Sequence, residues 1–221
     1  MAMIKENLDK IRQRISQACV RAGTDPCGIM LVCVAKGRSD QEILEAIDAG
    51  ITLVGENRVQ EASQKYKLAP RALWHMVGHL QSNKVKEALK IFDLIHSVDS
   101  LSLAQEINRQ AFKINKVQDI LLEVKTSPEE TKSGFAASAV ARAAEQIGQL
   151  EQVRIKGLMT IAALGNSAES ARPYFAALRR LRDKLNPDWL LSMGMSDDFE
   201  VAIEEGANII RLGMAVFEGD A

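Results

Sequence analysis

The chain has no excess of either charge: 28 lysines and arginines stand against 29 acidic residues, for a formal charge of -1. That balance argues against a general nucleic-acid binder, which needs a basic surface. No apolar run approaches the length needed to cross a bilayer, so no membrane partner is expected. The opening "MAMIKENLDKIRQRISQACVRAG" alternates charged and apolar residues at helical spacing and has no signal-peptide core. Cysteine is scarce and odd in number, and Cys19, Cys27 and Cys33 have no metal-like spacing to other ligands. Free thiols in a reducing, cytoplasmic setting are the expectation. A glycine-rich fingerprint after the first apolar run is also missing, although a doubly wound dinucleotide-binding sheet would usually carry one.

What is present is a repeated phrase: a short apolar run, a polar or glycine-containing junction, then an amphipathic helix. The runs are "IMLVCVAK" (29–36), "ITLVGE" (51–56), "LWHMVGH" (73–79) and "FDLIHSVD" (92–99). They continue with "QDILLEVK" (118–125), "VRIKGLMT" (153–160), "DWLLSMG" (188–194) and "ANIIRLG" (207–213). Gly50 and Gly206 stand where helices end. Eight apolar runs alternating with helices imply parallel β-α units. Packed into 221 residues without a linker, they predict an α/β fold, a (β/α)8 TIM barrel with an additional N-terminal helix, as one domain over 1–221. The short outer helices carry no dimer stripe, so a monomer is expected.

A barrel keeps its functional groups at the C-terminal ends of its strands. Those ends carry Lys36, Glu56–Asn57, His79, Ser97, Lys125, Met159–Thr160, Ser192 to Ser196 and Arg211 to Met214. A lysine closing a buried strand is partly desolvated, which favours the free amine and prepares it to attack a carbonyl. The alternative is a structural lysine whose head reaches water or Glu56. The last two junctions, "SMGMSDD" and "RLGMAVF", bring glycines and hydroxyls (Gly194, Gly213, Ser192, Ser196) to the usual phosphate cradle of a barrel. Asp197 is expected to cap the helix that follows. Either loop alone could be an ordinary turn. A Schiff-base lysine and a phosphate cradle at one mouth suggest pyridoxal 5'-phosphate (PLP), with Arg211 within reach of the pyridine nitrogen unless it pairs with Glu56.

Other features weigh less. His75 and His79 share a strand face but lie roughly 13 Å apart, too far for one metal ion; His75 reads as a core histidine. Lys84, Lys86 and Lys90 read as a solvated helix face, although Lys84 could hold an anion or a second cofactor molecule. Met159, Met193, Met195 and Met214 are core by default and a soft wall against a flat ring otherwise.

"VAKGRSD", "VGENRVQEA", "WHMVGHLQSNKVK", "IHSVDS", "VKTSPEETKSGF", "IKGLMTI" and "LSMGMSDDFEVAIEEGANIIRLGMAVFEG" follow one another as they do in the pyridoxal-phosphate homeostasis proteins. The chain resembles that family over essentially its whole length. Those proteins are single-domain barrels similar to the N-terminal domain of alanine racemase. The resemblance implies that Lys36 is the Schiff-base lysine and Arg211 the pyridine-nitrogen arginine. It implies phosphate binding by Ser192, Gly213 and Met214, the last two through backbone N–H groups. Asn57, His79 and Met193 fall in matching segments near the site. Lys132 and Ser133 align with a racemase-type loop, as a lid or as plain surface. Two departures stand out. Gly37-Arg38-Ser39 replaces the family's usual continuation of a threonine or valine, another lysine and a proline, and Arg58 replaces a tyrosine. Looser first and second loops and extra positive charge at the mouth are the expected consequences.

Alanine racemase pairs its cofactor lysine with a tyrosine from a second domain. Here the only tyrosines, Tyr66 and Tyr174, fall in predicted outer helices, and the sequence ends with the barrel. The expectation is therefore a PLP-binding homeostasis protein without robust turnover, whose partners are PLP and, as the family suggests, apo PLP-dependent enzymes. Three rivals stay open: a PLP-dependent racemase or decarboxylase completed by a partner, a Schiff-base aldolase-type barrel without PLP, and a protein-binding scaffold.

Overall fold

The first helix, α1 (Ala2–Ala22), sets Ile4, Leu8, Ile11, Ile15, Ala18 and Cys19 on one buried face, at amphipathic spacing. The computed structural model describes residues 2–127, 133–163, 165 and 167–219. The strands are β1 (Met30–Val34), β2 (Leu53–Glu56), β3 (Leu73–Met76), β4 (Leu94–Val98) and β5 (Gln118–Lys125). A two-residue strand, β6 (Phe135–Ala136), precedes β7 (Val153–Met159), β8 (Leu190–Ser192) and β9 (Ile209–Leu212). Helices α2 (Asp40–Asp48), α3 (Val59–Lys65), α4 (Val85–Ala88) and α5 (Leu101–Phe112) cover the first half. The second half is covered by α6 (Val140–Ile147), α7 (Arg172–Leu185), α8 (Phe199–Glu204) and α9 (Met214–Phe217).

Among the described residues, eight strands pair in parallel in the order β1–β2–β3–β4–β5–β7–β8–β9, and β9 returns to β1. The expected (β/α)8 barrel is what the chain forms. β6 is an addition, a short parallel pairing onto the end of β5. Because helices cover the outside, the strands are buried on both faces, which is why each reads as a nearly continuous apolar run. Val32, Leu53, Val77, Leu94, Leu121, Met159 and Ile209 fill the interior, and a larger shell lies between strands and helices.

The two-residue period of a strand then fixes what reaches the mouth. Met30, Val32 and Val34 belong to the interior, so Lys36 continues inward at the rim. Arg211 is in register with Val32, which puts it inside as well, with Gly213 above it. Gly50 and Gly206 close their helices at φ +97° and +91°, as expected.

Candidate functional site

Lys36 stands two residues beyond the end of β1, just before a turn in which Gly37 has φ +70°. The expected desolvation does not occur: the lysine is exposed, because the strand ends before it and the chain opens into the turn. Its amine makes no hydrogen bond or ion pair among the described residues. Glu56, the partner that would make it merely structural, is taken. Glu56 is fully buried and holds Lys65 Nζ at 2.5 Å, and the same Nζ donates to Ala35 O at 2.7 Å. A buried pair thus braces the backbone next to Lys36 and leaves its amine free.

The loop after Lys36 is not slack. Ser39 opens α2 with a capping box, its Oγ accepting from Glu42 N–H and its own N–H donating to Glu42 at 2.8 Å. Arg38 donates to Glu218, and its guanidinium lies 4.9 Å from the centre of the Phe217 ring. The departure at Gly37-Arg38-Ser39 therefore ties the first loop to the end of α9. Arg58, the second departure, is 74% exposed and 3.6 Å from Glu61.

Arg211 is 5% exposed. Its Nη1 donates to Ser192 Oγ at 2.6 Å and its Nη2 to Thr160 O at 3.0 Å. Ser192 Oγ also meets His96 Nδ1 at 2.9 Å, and His96 Nε2 meets His75 Nδ1 at 3.0 Å. An arginine can only donate, so Ser192 Oγ accepts from it, and sending the Ser192 proton to His96 Nδ1 is the arrangement that gives every group in the line a partner. His96 then carries its own proton on Nε2 and gives it to His75 Nδ1. Burial, with the neighbouring His75 and Arg211, holds His96 well below the ordinary imidazole value, and burial pushes His75 down to about 4. Both rings are neutral at pH 7, as the chain of donors requires. Burial also lowers Arg211, to about 10, which leaves it charged.

The eighth and ninth strand ends form one unit. Gly194 has φ +94°, and a Cβ there would sit 2.6 Å from Ala202 Cβ, so the loop lies directly on α8. Arg211 N–H donates to Gly194 O at 3.0 Å, and Ala215 N–H donates to Ser196 Oγ at 3.2 Å. The expected cap at Asp197 is corrected: Asp198 holds the N-cap position of α8 and its side chain caps no helical N–H, its Oδ1 accepting instead from Met195 N–H in the loop at 2.6 Å.

A cavity of about 310 Å³ joins Lys36, Asn57, Arg211, Gly213 and Met214 with Met195 and Ser196. Two expected residues have side chains outside it. Ser192 points into the barrel one layer below, held by Arg211 and His96, and Met193 points outward into the helix-covered core, because neighbouring strand residues face opposite ways. Their places are taken by Ser196 and Met195. His79 is exposed, with Nδ1 3.2 Å from Asp99 Oδ2, and lies with Lys36, Arg58 and Lys84 along an adjoining groove. Lys132 lies outside the described residues, and Ser133 lines a smaller cavity nearby. Glu123 was not anticipated, although one acid within "LLEVK" at an inward position was a usable signal. It is 8% exposed, and burial together with Asp99 pushes it up to about 6.

A parallel barrel behind an N-terminal helix, with an unpartnered lysine after its first strand, is the barrel type of alanine racemase. The sequence matches the alanine racemase N-terminal domain family over residues 4–220. It is 44% identical over 220 residues to the pyridoxal phosphate homeostasis protein of Aquifex aeolicus (strain VF5), covering 96% of each chain. The structure of PipY of Synechococcus elongatus PCC7942 with PLP bound superimposes with a TM-score of 0.83 at 37% identity, covering 97% of this chain and 99% of that one. An alanine racemase of Clostridium difficile 630 shares the fold alone, with a TM-score of 0.76 at 15% identity over 98% of this chain and 56% of that one. The chain belongs to the pyridoxal phosphate homeostasis protein family.

Proposed function

We propose that this protein binds PLP in the Lys36 cavity, holds it on the lysine amine as a Schiff base, and keeps it available to apo PLP-dependent enzymes without turning over a substrate of its own. The observation that carries the reading is the Lys36 amine: unpartnered at the mouth, with its natural counter-ion Glu56 committed to Lys65. The rest of the cavity suits the group. Ile161, Met195 and Met214, 40%, 41% and 52% exposed, offer soft walls for a flat ring where solvent would otherwise meet them. Asn57 Oδ1 is buried without a partner, and the backbone at Met195–Ser196 and Gly213–Met214 supplies the phosphate side. Bound PLP would supply an electron-withdrawing ring.

Arg211 is the group for the pyridine nitrogen. Fixed by Ser192 and the Thr160 carbonyl, and charged at neutral pH, it disfavours protonation of that nitrogen and so weakens carbanion chemistry. Tyrosine is absent from the mouth. Tyr66 follows α3 and packs edge-on against Trp74 at 6.1 Å, and Tyr174 lies on α7. A monomer in a reducing cytoplasm completes the reading, in keeping with free Cys19, Cys27 and Cys33 and with no described helix long and apolar enough to cross a membrane.

The test is a visible absorbance spectrum of purified protein after addition of PLP, then borohydride reduction and peptide mapping. A Schiff-base band whose reduced adduct maps to Lys36, and which is absent in Lys36→Ala, is expected. A protein that takes up no PLP overturns the reading, and robust turnover of an amino acid overturns its non-catalytic part.

A further inference from the structure

Beside the Lys36 cavity, and sharing Asn57, Val77 and Ile161 with it, lies a second cavity of about 300 Å³. Glu123 lines it, and its carboxyl group makes no hydrogen bond or ion pair among the described residues. Asn57 lines it too, and its Oδ1 is buried without a partner among the described residues. Both groups are acceptors at neutral pH. Asn57 Oδ1 is shut off from solvent, and a buried acceptor without a donor is costly, while the Glu123 carboxyl group still opens on the cavity and brings a charge to it; a ligand carrying donors suits both. Among the described residues, the charged and titratable groups around Glu123 are Asp99 beyond β4, Arg211 on β9, His79 beyond β3 and Lys125 on its own strand. None of them closes a contact with it, so they tune the carboxyl group without occupying it.

We infer that this cavity receives a primary ammonium group and that Glu123 takes its proton when the amine displaces Lys36 from the cofactor. The inference rests on the Lys36 reading above for the displacement, but not for the binding. Glu123 accepts a proton from the ammonium, and the freed nitrogen bonds to the carbon held on Lys36 as the bond to Lys36 Nζ breaks. Lys36 Nζ enters the step carrying one proton; of the two that the entering nitrogen gives up, one passes to it directly and the other by way of Glu123, so Lys36 leaves as an ammonium and Glu123 is a carboxylate again. Release of the cofactor then answers to amines, either a free amino acid or a lysine side chain of an acceptor protein. The two share the same ammonium chemistry.

Binding is tested on cofactor-free protein. The carbon-13 signal of the Glu123 carboxyl, assigned by its loss in Glu123→Gln, is followed while glycine, and separately N-acetyl-lysine amide, is added. A saturable shift is expected with at least one probe. Glycine alone identifies free amino acids, the lysine amide alone identifies protein lysines, and no saturable shift with either overturns the subsite.

Proton transfer is tested on loaded protein, by the rate at which the same probes discharge the Lys36 band. A reagent that enters as the ammonium gives a rate that falls below about pH 6, where Glu123 protonates, and is flat above it up to the pKa of the amine, ~10.4 for a lysine side chain. Glu123→Gln must wait for free amine, so its rate should be ~10²-fold lower near pH 7 and should climb roughly tenfold per pH unit. Identical profiles for the two proteins overturn the role of Glu123. A protein that never shows the band fails the Lys36 reading instead, while the binding experiment still judges the cavity.

Discussion

At the scale of single residues, the barrel interior sets a line of polar groups among its apolar filling. His75, His96, Ser192 and Arg211 form one line of hydrogen bonds with a fixed direction, beginning at a cation that never accepts. Removing one member strands its neighbours. Ser192→Ala leaves both an arginine donor and a histidine acceptor unpaired in the dry interior, and should cost about 1–3 kcal/mol in urea unfolding for each group left unsatisfied. The same line dictates an acid response. Both histidines have folded pKa values below the ordinary 6.5, so an unfolded chain binds protons the folded one refuses. Their contribution is complete above about pH 6.5 and is lost as pH falls toward 4. Glu123 has the opposite sign: its folded value is raised from 4.5 to about 6, so its contribution is complete below 4.5 and is lost as pH rises through 6. Two histidines outweigh one glutamate, and stability should fall between pH 6.5 and 4.5, at on the order of 1.4 kcal/mol per pH unit for each net proton. Glu123→Gln removes the opposing group and should steepen that fall. Urea midpoints at a series of pH values check it, and a slope unchanged by the substitution would contradict the assignment.

Among the elements, the join between β8 and α8 is the most constrained. Gly194 needs a left-handed backbone and lies against Ala202 and Phe199, so Gly194→Ala incurs both strain and overlap. A loss of about 2–5 kcal/mol is expected, from roughly 1–2 of backbone strain plus 1–3 of overpacking. PLP uptake should weaken as well, because Met195 and Ser196 follow directly. Calorimetry and an absorbance titration measure the two effects, and weakened stability with unchanged uptake would separate the loop from the site. This join also shows where the sequence was legible. The apolar runs announced every barrel strand, and their ends announced Lys36, Arg211 and the two glycine loops, because one-dimensional patterning decides burial in a parallel sheet. Side-chain direction near a strand end was less legible. Ser192 was expected at the phosphate and Met193 near the site, yet one side chain turns inward and the other outward, since β8 is only three residues long and its phase is set by pairing with β7 and β9. The Glu56–Lys65 pair and the line through His75, His96 and Arg211 depend on groups brought together from different elements, which no local pattern announces.

For the whole molecule, α1 links stability to the site. Its buried stripe packs against α8 and α9, the helices that follow the two loops of the Lys36 cavity. Arg14 grips Glu200 with two hydrogen bonds, of 2.7 and 3.1 Å, and lies 4.7 Å from the centre of the Phe199 ring. Arg21 reaches Glu204, and Asn7 donates to the Val216 carbonyl at 3.0 Å. A helix far from the cavity loops in sequence thus braces both of the helices that follow them. Leu8, fully buried on α1, is the lever. Leu8→Ala should cost about 2–5 kcal/mol, the usual range for a buried leucine. It should also weaken PLP uptake by loosening α8 against α9. Leu103, 2% exposed on α5, is the control: Leu103→Ala creates a comparable void on the far side of the chain's contacts, where α5 meets α4 and α6. Titrated with PLP at a temperature where both variants remain folded, Leu8→Ala should bind less tightly than Leu103→Ala at equal loss of stability. Equal affinities would mean that α1 stabilises the barrel without holding its mouth, and the two loops after β8 and β9 would then owe their position to local contacts, Gly194 against α8 and the Ser196–Ala215 hydrogen bond among them.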